Sequence, residues 1–176
     1  MKDSTKTDIP QGIFSEKSIG MVVSEYHSEI TFALRDACIA TLIKAGFQEK
    51  YIHVAYSPGA FEIPLTALYL EEKYETRKYG ITAKGYDAAK YFPEAIICLG
   101  CVIKGDSDHD VYINHAVADG LMKLSLEKKK PFLFGLLTTN TLQQAKDRAG
   151  GKHGNKGVEC AVAALKMLEL AQKLKK

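Results

Sequence analysis

Four short apolar runs punctuate the chain, and between them the apolar spacing changes to that of a helix. The runs are "SIGMVV" (18–23), "YIHVAY" (51–56), "EAIICLGCVI" (94–103) and "PFLFGLLT" (131–138). They are short and rich in β-branched and aromatic residues, as strands are. The third is apolar almost throughout, the pattern of a strand covered on both faces. After the first, "EITFALRDACIATLIKAG" (29–46) sets Ile30, Leu34, Ala37, Ala40 or Thr41 and Ala45 at helical spacing and stops at Gly46. A turn, "SPGAFEIP", leads to a helix over 65–74. Another helix spans 109–129, its stripe running through Val117, Leu121, Leu124 and Leu126. A short helix at 141–150 ends at Gly150. The last helix, 157–176, carries lysines at its C-terminal end, where the dipole favours cations.

Strand and helix thus alternate four times, which predicts an α/β fold with a parallel sheet covered by helices on both faces. Right-handed crossovers make the flavodoxin-like order 2-1-3-4 the natural arrangement of a three-layer αβα unit, with ligands beyond the strand carboxyl ends. Residues 1–17 are polar and irregular, a flexible arm, and 18–176 form a single domain. Within it "KYETRKYGITAKGYDAAKYF" (73–92) is too long and polar for an ordinary connection. It reads as an insertion, either a surface excursion or a helix extension, with no chemistry assigned.

Composition narrows the class. The 176 residues carry a net charge of +3, with 46% apolar and 26% charged residues. A domain of this size buries a core without disulfides or metals. The charge is too mild to argue for nucleic acid, and "KKK" (128–130) and the terminal lysines read as solvated helix ends. No apolar stretch approaches a membrane span, and the first residues lack a signal core. The expectation is a cytoplasmic protein with no membrane or nucleic-acid partner. Cys38, Cys98, Cys101 and Cys160 include one C-x-x-C pair, at 98–101. Residues three apart on a strand face opposite sides, so all four read as small buried hydrophobes.

The strand ends carry the candidate chemistry. Tyr26 and His27 follow the first strand, and Gly59, Ala60, Phe61 and Glu62 the second. "CVIKGDSDH" ends the third; Phe134 lies in the fourth, with "DRAGGKHGNKG" beyond. Aromatic, basic and acid–base groups on one rim suit a planar polar ligand. Asp106, Asp108 and Asp110 match the start of an EF-hand loop, but Val111 and Val117 stand where Gly and Glu are needed, so that match fails. As residue types, Asp106, Ser107 and Asp108 suit a helix N-cap. His109 reads either as a surface histidine or as a neutral imidazole able to shuttle protons. "GGKHGNKG" lacks the Ser or Thr of a Walker A loop; with Arg148, Lys152 and Lys156 it suits either an anion or an ordinary turn. Phe61 and Phe134 suit a core, whereas Tyr26 sits in a polar loop where its face is free to stack.

Together, "PGAFEIP" (58–64), "CLGCVIKGDSDH" (98–109), "FGLLTTNT" (134–141) and "DRAGGKHGNKG" (147–157) resemble the lumazine synthase family, in its order and spacing. The resemblance covers 18–72 and 93–172. It implies condensation of 5-amino-6-(D-ribitylamino)uracil with 3,4-dihydroxy-2-butanone 4-phosphate, in riboflavin biosynthesis, without a cofactor and without a metal. It places Tyr26 against the pyrimidine and Ala60, Phe61 and Glu62 along the ribityl chain. Cys101, Val102 and Ile103 meet the pyrimidine edge, and Phe134 contributes from the fourth strand. Asp106, Ser107 and Arg148 hold the phosphate of the ketone. His109 transfers protons, and Lys156 is a nearby basic residue.

The same resemblance implies a homopentamer whose sites are shared between neighbours, with Phe134 and Arg148 reaching across. Pentamers of the family stand alone, pair as decamers or close into a 60-subunit icosahedral capsid, and riboflavin synthase is an implied partner. Ala161, Ala163 and Ala164 on the last helix allow close helix approach in such an assembly. Asp108 and Asp110 depart from the expected neighbours of the histidine. Carboxylates there should weaken phosphate binding or raise the histidine pKa. A competing expectation is a flavodoxin-like module that binds a flavin without turnover.

Overall fold

The computed structural model describes residues 14–79 and 92–175. Four parallel strands form the sheet: β1 (Ser18–Ser24), β2 (Ile52–Ser57), β3 (Pro93–Ile103) and β4 (Phe132–Thr139), in the order β2-β1-β3-β4. The expected order and class are therefore observed, with strand boundaries moved by at most one residue. Register runs from Ile19 opposite Ile52 to Ser24 opposite Ser57, and from Ile96 opposite Phe132 to Ile103 opposite Thr139. Helices α1 (Ser28–Lys44), α2 (Ile63–Tyr79) and α3 (His109–Lys128) connect successive strands. After β4 come α4 (Leu142–Arg148) and α5 (Lys156–Leu174).

Two cores follow from the period of two along the strands. On one face Met21, Val23, Ile97, Leu99 and Cys101 pack with Leu34, Cys38 and Leu42 of α1 and with Ala161, Leu165 and Leu168 of α5. On the other, Val22, Ile96, Cys98 and Val102 pack with Ile63, Ala67 and Leu70 of α2 and Val117, Leu121 and Leu124 of α3. Cys98 and Cys101 lie in different cores, as their spacing on a strand requires, and all four cysteines are free and buried. Leu126, expected on the buried stripe of α3, is exposed: it falls outside the face that Val117, Leu121 and Leu124 turn to the sheet.

Two expectations need correction, and a third is met in part. Residues 1–13 of the expected arm lie outside the described residues, but its end is packed. Phe14 is fully buried and stacks on Phe47 at 5.4 Å, and Lys17 Nζ donates to Glu94 at 2.7 Å. Within the segment read as an insertion, 73–79 continue α2, while 80–91 lie outside the described residues. The glycine-rich stretch after α4 is neither open loop nor helix end. It is a small antiparallel hairpin, β5 (Ala149–Gly151) and β6 (Gly154–Asn155). Gly150 and Gly154 take φ of 119° and 79°, a region that glycine alone enters freely.

The small residues of α5 are explained inside the chain. Gly157, Ala161 and Ala164 are buried, with Ala161 and Ala164 in the core shared with α1, and Ala163 is exposed. Asn155 caps α5 by accepting from Gly157 N at 2.8 Å and donates to Ala33 O of α1 at 3.3 Å. A Cβ on Gly157 would lie 2.0 Å from Leu34 O. A glycine-to-alanine change in a helix ordinarily stabilises by about 1 kcal/mol. Here the backbone clash outweighs that gain. Gly157→Ala should lower the stability by about 1–3 kcal/mol in a denaturant titration.

Candidate active site

The carboxyl ends of β1, β2 and β3 open onto a cavity of about 320 Å³. The chain leaves β1 through Glu25 and Tyr26, whose N–H groups donate to Ser57 O at 2.8 Å and Pro58 O at 3.2 Å. These bonds tie the turn after β1 to the turn after β2. Tyr26, His27 and Gly59–Glu62 line that side of the cavity; Cys101, Val102, Ile103, His109 and Ile113 line the other. The Tyr26 and Phe61 rings are 66% and 59% exposed, so their faces are open to a ligand.

His109 is the first residue of α3 and is exposed. Its Nδ1 is 2.9 Å from Ser107 Oγ. A Cβ on Gly105 would come within 2.9 Å of the imidazole Cε1, so the bare glycine leaves room for the ring beside the loop. The helix N-cap is Asp108, and its side chain makes no capping bond. Capping by this aspartate cluster, expected from residue type, is thus replaced by a serine–histidine bond. Asp106 is exposed in the same loop. Asp110 does not line this cavity. It lines a separate one of about 230 Å³ with Asn114, Thr138, Thr139, Asn140 and Gln144. No group of three or more His, Cys, Asp or Glu side chains among the described residues is placed to hold a metal ion.

Phe134, Arg148 and Lys156 also do not line the cavity around His109. Phe134 lies on β4, the edge of the sheet farthest from β2, whereas Arg148 and Lys156 flank the hairpin that Asn155 ties to α1. The Phe134 side chain is 41% exposed, while its backbone oxygen is 3.8 Å from Cys160 Sγ on α5. Arg148, at the end of α4, donates through Nη1 to His153 O of the hairpin at 2.7 Å and through Nη2 to Glu159 Oε2 at 2.9 Å. Lys156 Nζ reaches the same carboxylate at 3.5 Å. Arg148 therefore holds the Glu159 carboxyl below the usual glutamate range, against the opposing effect of partial burial. The three charges sum to one net positive charge on an exposed rim, an arrangement suited to an anion.

Sequence reasoning placed His27 and Gly59 on the rim without a role and missed Ile113 and Glu159. Helical spacing could have found both: Ile113 is four residues from His109, and Glu159 three from Lys156. Thiol chemistry is remote. Burial pushes the Cys101 and Cys160 thiols up to about 11 and those of Cys38 and Cys98 higher still.

A profile of the 6,7-dimethyl-8-ribityllumazine synthase family matches residues 16–172. A 6,7-dimethyl-8-ribityllumazine synthase of Bacteroides fragilis is 41% identical over 157 residues, covering 89% of this chain and 98% of the relative. One of Cytophaga hutchinsonii is 43% identical over 154 residues, or 88% of this chain and 86% of the relative. One of Porphyromonas gingivalis is 38% identical over 170 residues, covering 97% and 94%.

The Arg148–Glu159 pair contributes above the ordinary glutamate range and is lost as pH falls through the lowered value. Carboxyl NMR should find Glu159 titrating below an ordinary glutamate, and Arg148→Ala should move it back up. In the native protein at pH 8, a thiol reagent should react at least about 10²-fold more slowly than with the unfolded chain.

Proposed function

The chain belongs to the 6,7-dimethyl-8-ribityllumazine synthase family, and on that premise we propose that it condenses 5-amino-6-(D-ribitylamino)uracil with 3,4-dihydroxy-2-butanone 4-phosphate. Such a protein is a transferase of riboflavin biosynthesis. The observation that carries this reading is the single cavity into which Tyr26, Phe61, Glu62, the end of β3 and His109 all open. A stacking ring, a carboxylate and an imidazole around a space of this size fit a ribitylated pyrimidine.

The roles are those that the family resemblance implies, and the residue types suit them. Tyr26 stacks on the uracil, and the backbone of Cys101–Ile103 meets its edge. Ala60, Phe61 and Glu62 receive the ribityl chain, whose hydroxyls suit the Glu62 carboxylate. The 5-amino group attacks the ketone; an imine forms with loss of water, phosphate is eliminated, and ring closure releases a second water. On this reading His109 takes and returns protons in imine formation and phosphate release, with Ser107, 2.9 Å from its Nδ1, orienting the ring. Phosphate is a good leaving group and needs holding more than activation. Asp106 and Ser107, with the backbone around them, form one side of that grip. A guanidinium gives the other side through paired hydrogen bonds. Proximity of the two reactants supplies the remainder.

Arg148, Lys156 and Phe134 do not line the cavity of their own chain. The reading that unites both groups is a homopentamer in which this rim covers the cavity of the next subunit. Decamers, a 60-subunit capsid and a contact with riboflavin synthase are further steps of the same reading, and the cytoplasm is its location. Among the described residues no helix is long and apolar enough to cross a membrane.

Incubation with both substrates should yield the fluorescent lumazine; riboflavin binding without product would replace this reading with a flavin-binding module. His109→Ala should slow turnover about 10²-fold while pyrimidine binding persists. Arg148→Ala should raise KM for the phosphate ketone by about 10- to 100-fold, the value of a hydrogen bond to a charged group. Co-expression of the two variants should restore about a quarter of the sites in mixed oligomers, as random assembly around a shared site requires. No recovery in oligomers of proven mixed composition would place each site within one chain.

A further inference from the structure

We propose that His27 is a second proton-transferring residue, serving ring closure while His109 serves imine formation and phosphate release. This rests on the condensation proposed above and divides its proton transfers between two imidazoles.

The backbone is the first observation. His27 is one of two non-glycine residues with positive φ among the described residues, at φ 58° and ψ 45°. A non-glycine residue in this region costs free energy and persists only where its surroundings fix it. Here they do. The His27 carbonyl accepts from Ile30 N at 2.8 Å and Thr31 N at 3.0 Å, and Thr31 Oγ1 donates to Ser24 O at 2.6 Å. As N-cap of α1, His27 makes no capping bond with its side chain. The strained turn leaves the ring available to the cavity, which it lines.

Placement is the second observation. The His27 ring meets Tyr26 edge-on, with centroids 4.6 Å apart at 66°. β1 lies between β2 and β3, so His27 sits beside the turn that carries Phe61 and Glu62. His109, bonded to Ser107, lines the same cavity from the start of α3. The titratable side chains lining the space are Tyr26, His27, Glu62, Cys101 and His109, with Glu25 and Glu29 beside His27 in the chain. If the ribityl chain lies along Phe61 and Glu62, the nitrogen that bears it is on the His27 side, remote from the phosphate.

Ring closure needs a proton on that side. The ribitylamino nitrogen adds to the remaining carbonyl carbon; a C–N bond forms, and the nitrogen's proton passes to the oxygen. The His27 imidazolium then gives a proton to the resulting hydroxyl, which leaves as water with the C–O electron pair. The proton that the ring system sheds in becoming neutral returns to His27. The residue ends as it began, and no oxidant or metal enters.

The test is a single-turnover experiment that follows phosphate release and lumazine absorbance together. Asparagine tolerates the left-handed conformation, and glycine enters it freely. His27→Asn and His27→Gly should therefore fold, as circular dichroism would verify. Both should release phosphate at nearly the wild-type rate while lumazine appears about 10- to 100-fold more slowly. Added imidazole should restore closure in the glycine variant. His109→Ala should instead delay phosphate release itself. Lumazine keeping pace with phosphate in both His27 variants would overturn the proposal. So would an equal loss of both signals, which marks a role in binding or folding. A wild-type protein that makes no lumazine would refute the underlying condensation instead.

Discussion

The arrangement depends on the pairing of β3 with a parallel neighbour on each side. β1 and β4 hold its edges, and the two helix layers bury both its faces. Parallel strands end on the same side of a sheet, so every connection that leaves β1, β2 or β3 emerges on one rim. The end of β3 is the floor of the cavity, and the loop beyond it delivers Ser107 and His109. The imidazole is thus positioned by the apolar packing of the strand that precedes its loop. Chemistry at the rim needs little of its own stability, because the strand beneath cannot shift without disturbing two cores.

The second cluster is organised differently. Arg148, Lys156 and Glu159 stand on an exposed surface, where ion pairs contribute little to stability. Their value lies in orientation. Arg148 is held by a backbone oxygen on one side and a carboxylate on the other, so less side-chain freedom remains to be lost when an anion arrives. Asn155 links the hairpin to α1, and Gly157 lets α5 approach the same helix. The cationic rim is therefore tied to the core through short contacts, although its charged ends stay in solvent.

Layer order and the convergence of strand ends were legible because they follow from apolar periodicity and from the handedness of crossovers. The burial of Cys98 and Cys101 in opposite cores was legible from strand pleating alone. Other features needed coordinates. Nothing in "DRAGGKHGNKG" separates a hairpin from a loop, since glycines at positive φ serve both. Type alone suggested capping by Asp106–Asp108, whereas Ser107 shares a hydrogen bond with the ring that follows. Phe14 looked like part of a polar arm, and only a distant partner, Phe47, reveals it as core. The strain at His27 has no signature beyond a residue type that tolerates it.

The short contact between Ser107 and the imidazole has a mechanical consequence. A hydroxyl can turn about its C–O bond, giving a hydrogen to Nδ1 when the ring is neutral and offering a lone pair when the ring is charged. The nitrogen facing the loop is satisfied in either state, which leaves Nε2 to other partners. Charging and discharging then require the rotation of one hydrogen atom, with no swing of the ring.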